Sequence, residues 1–360
     1  VARPIAVLLC LALLMGFGAA PAEAARKARK ARAAAVPAAE ANAAPYGRRD
    51  DVLRFAAELA AREEELDPAW VAQQLAGARY LPRVAQLIMP PPAGTAKNWA
   101  AYRDRFIDAS RIRAGLDFWR ANEAWLAKAE ALWGVPADIV VGIIGVETIY
   151  GRHTGGFRVL DALATLSFDF PAGRRDRSPF FRDELAQFLL QCRRGQLDCQ
   201  GTRGSYAGAM GWPQFMPSSR AQYAVDFDRD GHIDLDNPAD AIGSVAHYMA
   251  RFGWQPGVPT HYAVAPPVDT SARARLLEPD IRPSFTAAQM AEHGAELSEA
   301  GRAHAGPLAL VELQNGEAAP SYVAGTANFY TVTRYNWSSY YALAVIELGR
   351  SVAALRDARR

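Results

Sequence analysis

The most constraining stretch of the chain is the apolar segment from Ile139 to Tyr150, which carries a single carboxylate, Glu147. Gly134-Val135-Pro136 ends the helical pattern before it, and Pro136 stands where a first helical turn can begin. Val140, Val141, Ile143, Ile144 and Val146 then lead directly to Glu147. An ionised carboxylate is costly in such surroundings. Burial raises a glutamate pKa and keeps the proton on near neutral pH. A glycosidase general acid needs that property. The helix alone leaves two plainer readings open: a glutamate on the exposed edge of a buried helix, or one paired with a structural arginine.

With 360 residues the chain is long enough for one large domain or for two to three modest ones. A net charge of +2 gives no sign of the clustered basic face that nucleic-acid binding needs. Arg3, the apolar run Ile5 to Phe17 and the Ala22-Glu23-Ala24 site are the parts of a cleaved secretory signal, and periplasmic export is the expectation. The run falls short of the ~20 apolar residues of a membrane span, and a retained membrane anchor is the alternative reading. Cys10 follows Leu8-Leu9 inside that run, so it reads as part of the discarded peptide and not as a lipid anchor. Residues 25–48 are Ala-rich with a basic cluster at the start, which reads as a disordered tether. Cys192 and Cys199 are then a candidate disulfide in an oxidising compartment, with a pair of free thiols as the alternative. So short a loop would contribute about 2.5 kcal/mol at best.

Helical periodicity begins at Asp50, where Val52, Phe55, Ala56 and Leu59 recur, and Trp70, Val71 and Leu75 suggest a second helix. Pro90-Pro91-Pro92 breaks the pattern. Trp99 to Phe106 is helical again, and Ala114 to Trp133 reads as one longer amphipathic helix. Residues 258–321 hold strand candidates at Tyr262-Ala263-Val264 and Leu308-Ala309-Leu310-Val311. Helix returns from Ser338 to Leu355.

The run from Val140 through Glu147 to Arg152 resembles the catalytic helix of the membrane-bound lytic transglycosylase B family. So do Leu160-Asp161-Ala162-Leu163-Ala164-Thr165-Leu166-Ser167-Phe168, Ser205-Tyr206-Ala207-Gly208-Ala209-Met210-Gly211, Gln214-Phe215-Met216-Pro217-Ser218-Ser219 and Tyr335-Asn336, in that order. The resemblance implies a mainly α fold: a lysozyme-like core, a helical domain and a small β-rich domain. Its divisions would be a signal at 1–24 and a linker at 25–48. A helical domain at 49–125 would follow, with helix 338–355 packing nearby. The core would take 126–256 plus about 322–350, and the β-rich insertion 258–321.

The implied reaction is non-hydrolytic cleavage of the N-acetylmuramic acid–N-acetylglucosamine bond of peptidoglycan. The muramic C6 hydroxyl attacks the anomeric carbon and leaves a 1,6-anhydro ring. An internal nucleophile explains why one carboxylate, Glu147, can suffice as acid and then base, where most glycosidases need two. Asp161 and Asp169 read better as cap or turn residues. Also by resemblance, Ser205 and Gln214 fall on active-site positions, and Tyr102, Tyr248, Tyr335, Asn336 and Tyr341 line the sugar cleft. Ile149-Tyr150, Trp212-Pro213 and Phe180-Phe181 depart from the family pattern. Peptidoglycan strands are the expected partner, with cell-wall synthesis or remodelling proteins beside them. A hydrolytic muramidase and a non-catalytic wall-binding scaffold are the rival readings.

Asp226-Phe227-Asp228-Arg229-Asp230-Gly231-His232-Ile233-Asp234 resembles the start of an EF-hand calcium loop. Oxygen ligands fall at positions 1, 3 and 5, and the backbone carbonyl of His232 falls at position 7. Position 12 is Asn237 instead of glutamate, and in the resembling family a longer loop ends at the aspartate that Asp240 matches. The implied ligands of a structural Ca2+ are therefore Asp226, Asp228, Asp230, His232 and Asp240.

Overall fold

The computed structural model describes residues 46–90 and 97–359. The expected export signal and nearly all of the expected linker lie outside the described residues. Tyr46–Arg48, the end of that linker, is instead a 3-10 turn with Tyr46 buried.

In chain order the first helices are α1 (Asp50–Arg62), α2 (Pro68–Ala76), α3 (Pro82–Leu87), α4 (Trp99–Asp104), α5 (Ala109–Ala121), α6 (Glu123–Trp133) and α7 (Ala137–Thr148). Strand β1 (Phe157–Arg158) leads into α8 (Val159–Phe168) and α9 (Ser178–Arg193). Then come β2 (Arg203–Gly204), α10 (Pro217–Tyr223), α11 (Pro238–Arg251), β3 (His261–Ala265), α12 (Thr270–Leu277) and α13 (Ala287–Glu292). The chain ends with β4 (Glu296–Leu297), α14 (Glu299–Arg302), β5 (Ala309–Asn315), β6 (Ala318–Gly325), α15 (Ala327–Asn336) and α16 (Ser339–Asp357). The fold is mainly α, as expected. Among the described residues no single helix is long and apolar enough to cross a membrane.

Contacts divide the described chain into two compact units: 97–153 with 223–359, and 46–90 with 154–222. The first is built on the antiparallel pair α7 and α16. Gly142 lies so close to the Val345 carbonyl that an added Cβ would sit 2.2 Å from its oxygen. Gly349 is as close to the backbone of Asp138, at 2.1 Å from its carbonyl oxygen. The helices thus touch backbone to backbone, and Val141, Ile143, Ile144, Val345, Ile346 and Leu348 are sealed around the seam. Each such side chain contributes about 1.5–3 kcal/mol when buried.

The stretch Ala114 to Trp133 is not one helix. It breaks at Asn122 (φ −123°, ψ 21°) between α5 and α6. The Asn122 side chain donates back to the Phe118 carbonyl at 2.9 Å, a local bond that competes with helix continuation. Gly134, left-handed at φ 66°, then closes α6.

Residues 261–325 form an antiparallel sheet in the order β4-β3-β6-β5. Leu276, Met290, Leu297, Leu308 and Leu310 give it a core of its own, so helices α12 and α13 belong to this region as much as its strands do.

The second unit centres on α8 against α9, where Leu160, Leu163, Leu166, Phe181, Leu185 and Phe188 are buried. Phe157 and Arg158 pair with Gly204 and Arg203 in a two-residue antiparallel ladder. Asp169 accepts from Tyr46 Oη and Arg49 Nη1, both at 2.6 Å. Asp161 pairs with Arg158 and accepts from the Arg79 amide at 2.9 Å. Both aspartates are held in ion pairs with arginine, and Asp169 is also the C-terminal cap of α8.

Candidate active site

Glu147 sits in the last turn of α7, whose other residues are almost all buried. The helix ends abruptly. Ile149 (φ 52°) and Tyr150 (φ 56°) are both left-handed, and their amides return to the carbonyls of Gly145 and Ile144. A β-branched residue in that region is strained, and such strain collects at functional sites. Tyr150 turns inward and stacks on Phe118 with ring centroids 5.2 Å apart.

Burial pushes the Glu147 carboxyl up to about 7, while the hydrogen bond from Tyr341 pulls it down. Its place at a helix C-terminus adds to the same upward push, because the dipole there disfavours negative charge. The residue is half-buried, not sealed. It is therefore desolvated enough to hold a proton near neutral pH and open enough to pass it on.

Tyr341 Oη donates to Glu147 Oε1 at 2.6 Å. The α7–α16 register makes this contact: residues 138, 142 and 147 of one helix face 349, 345 and 341 of the other. Ser338 starts α16 by accepting from the Tyr341 amide. The Tyr335 ring lies parallel to Tyr341 with centroids 6.1 Å apart. Tyr248 tilts onto Tyr335 at 4.9 Å and donates to the Arg334 carbonyl at 2.9 Å. Tyr102 packs among Trp99, Phe106 and Tyr340. Burial, and after it the Glu147 charge, raises the Tyr102 hydroxyl pKa. Asn336 is buried, and its Oδ1 has no partner among the described residues. A buried acceptor left unpaired costs free energy until a donor fills it.

The first unit thus brings Glu147, Tyr341, Tyr335, Tyr248, Tyr102 and Asn336 into one unit. Sequence reasoning did not single out Gly142 and Gly349, which set the helix approach. The only signal for them was a glycine placed within each apolar helix.

Ser205 and Gln214 belong to the second unit. Ser205 Oγ accepts from the amides of Ala207 and Ala209. Gln214 is left-handed at φ 53° and donates its Nε2 to Thr154 O and Gly211 O. Cys192 and Cys199, in the same unit, are unbonded thiols. They touch: the hydrogen bond with Cys199 and then burial raise the Cys192 thiol pKa.

In the acidic loop, carboxylate oxygens of Asp226, Asp228 and Asp240 lie within 4.8 Å of one another. Asp240 is 1% exposed, and its two oxygens accept from the amides of Phe227 and Asp234 at 2.7 Å. Burial raises its pKa. Asp226 accepts from Gly231 and Asp230 amides, which curls the loop back on itself. Asp230 does not join this cluster of carboxylates: it is exposed, and its Oδ1 accepts from the His232 amide at 2.8 Å. Three like charges this close repel unless a cation neutralises them, and an all-oxygen donor set suits a hard ion such as Ca2+.

The model of the transglycosylase SLT domain family matches residues 49–350. Membrane-bound lytic murein transglycosylase B of Escherichia coli (strain K12) is 44% identical over 267 residues, 74% of this chain and 70% of that protein. The structure of Escherichia coli lytic transglycosylase Slt35 in complex with calcium aligns with a TM-score of 0.73 at 38% identity, covering 86% of this chain and 95% of that one. Pseudomonas aeruginosa SltB3 in complex with NAG-NAM-pentapeptide aligns at 0.70 and 30% identity, over 83% and 78%. The fold shared with these structures is lysozyme-like.

Proposed function

This chain belongs to the transglycosylase SLT domain family and is a lytic transglycosylase of peptidoglycan, and from that premise we propose that Glu147 alone serves as its acid and base. The protonated carboxyl gives its proton to the glycosidic oxygen between N-acetylmuramic acid and N-acetylglucosamine. The substrate's acetamido group supports the cationic centre, as in substrate-assisted glycosidases. The carboxylate then takes the proton of the muramic C6 hydroxyl as that oxygen bonds to the anomeric carbon. The C1–O4 bond breaks, a 1,6-anhydro ring closes, and no water is consumed.

The observation that carries this reading is the half-buried Glu147, pushed up to about 7 and held by Tyr341 at 2.6 Å. Tyr341 orients the carboxyl and stabilises the anion left after proton donation. Asp161 and Asp169, the next aspartates along the chain, are both tied to arginines, which supports a single catalytic carboxylate. Tyr102, Tyr248, Tyr335 and Asn336 are the proposed sugar contacts in the first unit, and Ser205 and Gln214 those in the second. Gln214 spends its amide nitrogen on the backbone, so its Oε1 is the group it would offer to a hydroxyl. A Glu147→Gln variant should fail to solubilise murein, and solubilisation at the normal rate would refute the assignment.

Asp226, Asp228 and Asp240 fit a bound Ca2+, with Asp230 and the His232 carbonyl as further ligands. The ion would neutralise the loop and tie it to the start of α11. Slt35, crystallised with calcium, supports this. Cys192 and Cys199 are proposed to pair in the exported protein, and an unreduced mass two hydrogens below the reduced mass would bear that out. The expected divisions, a helical domain at 49–125, a core at 126–256 with 322–350 and an insertion at 258–321, are kept as the functional organisation. A periplasmic location is inferred from the substrate, with peptidoglycan strands as the partner; the complex of SltB3 with NAG-NAM-pentapeptide supports this.

A further inference from the structure

The second unit contains a groove of about 580 Å³ whose walls include Arg79, Arg158 and Arg203 but only one carboxylate, Asp161. Arg158 is fully engaged. It grips Asp161 through Nε and Nη2 at 2.9 and 2.5 Å, and it reaches Gln200 Oε1 at 3.0 Å and the Gly77 carbonyl at 2.5 Å. Asp161 therefore cancels Arg158, and this pair forms a fixed floor. Arg203 gives one bond, from Nη1 to the Gly156 carbonyl at 2.8 Å. Among the described residues neither Arg203 nor Arg79 has a carboxylate partner, and both are exposed. Three guanidinium groups against one carboxylate leave the groove with two uncompensated positive charges.

We propose that this groove binds a carboxylate of the peptide stem carried by the murein strand, with Arg79 and Arg203 as its two arms. The inference rests on the reading of the chain as a strand-cleaving enzyme and names a part of its substrate. Glycan hydroxyls and acetamido groups are neutral, so they can accept from the two arginines but leave their charges uncompensated. The stem peptide supplies free carboxylates, and the planar guanidinium fork matches a carboxylate in shape and charge. Placement agrees. The β1–β2 ladder runs along the groove, Ser205 follows directly after β2, and Thr154, just before the groove residue Gly156, holds Gln214. A ligand in the groove therefore lies on the segments that carry the proposed sugar contacts of this unit.

The test uses the full-length enzyme on two substrates: murein strands with their stems, and strands stripped by an amidase, which keep only the lactyl carboxylate on the ring. The double charge reversal Arg79→Glu/Arg203→Glu should raise KM on stem-bearing strands roughly two- to thirtyfold, the range for two exposed charge pairs. Its kcat there and its rate on stripped strands should stay near wild type, and its melting temperature should be unchanged because both side chains are exposed. Raising the salt should shrink the difference. An unchanged KM on stem-bearing strands, or the same loss on both substrates, would overturn the proposal. Glu147→Gln in parallel separates the two readings: it should silence both substrates whatever the groove does.

Discussion

Glutamine at position 147 keeps the shape of the side chain and removes its titration, so it tests burial of the acid apart from catalysis. The folded carboxyl sits at about 7 against 4.5 for the free group. Between those values the folded chain holds a proton that the unfolded chain has lost. Stability therefore falls as pH rises through this window. From 4.5 to about 7, at 1.36 kcal/mol per pH unit, the wild type gives up about 3 kcal/mol. The variant gives up none of it. Urea unfolding of both proteins at pH 4 and at pH 8 lets the other titrating groups cancel in the difference. Glu147→Gln should match the wild type at pH 4 and be more stable by about 3 kcal/mol at pH 8. A difference that does not change with pH, or a variant that is weaker at pH 8, would refute the claim that the catalytic carboxyl is held in a desolvated, proton-retaining site.

Three further outcomes follow from the same geometry. Tyr341→Phe removes a hydrogen bond that lowers the Glu147 pKa, so the high-pH limb of the activity profile should move up by about one pH unit or more while kcat falls; an unmoved limb would contradict this. Chelation should lower the melting temperature and added Ca2+ restore it, and Asp240→Asn should abolish that response; an identical melt in chelator and in calcium would remove the metal from the account. Gly142→Ala would drive a methyl into the Val345 carbonyl, costing about 1–3 kcal/mol and cutting activity by separating Tyr341 from Glu147. Normal activity in that variant would show that the helix approach does not set the site.

The proposed acid was legible as a candidate because its signal is local: a carboxylate in an apolar helix is visible along the chain, and the resemblance then gave it a role. Its partner was not visible from pattern alone. Tyr341 lies 194 residues away, and only the resemblance pointed to it. The contact depends on the α7–α16 register, which periodicity does not encode. The break at Asn122 was missed because α5 and α6 both continue a helical apolar pattern, and one side-chain bond ends the first of them. In the acidic loop spacing pointed to Asp226, Asp228, Asp230 and the His232 carbonyl, and the resemblance added Asp240; the structure gathers the carboxylates of Asp226, Asp228 and Asp240. Asp230 lies outside that cluster, and one of its oxygens accepts from the His232 amide, a local bond that spacing does not reveal and that leaves the other oxygen for a cation. The arginine groove joins residues from three separate stretches of chain, and only Asp161 among them falls in a family-like run.

Digesting purified sacculi in ¹⁸O-labelled water and weighing the released muropeptides tests the central claim most directly. If Glu147 works alone and the C6 hydroxyl is the nucleophile, the muramic ends will be one water lighter than reducing ends and will carry no ¹⁸O. Heavier ends bearing solvent oxygen at the anomeric carbon would make the enzyme a hydrolase and contradict the account.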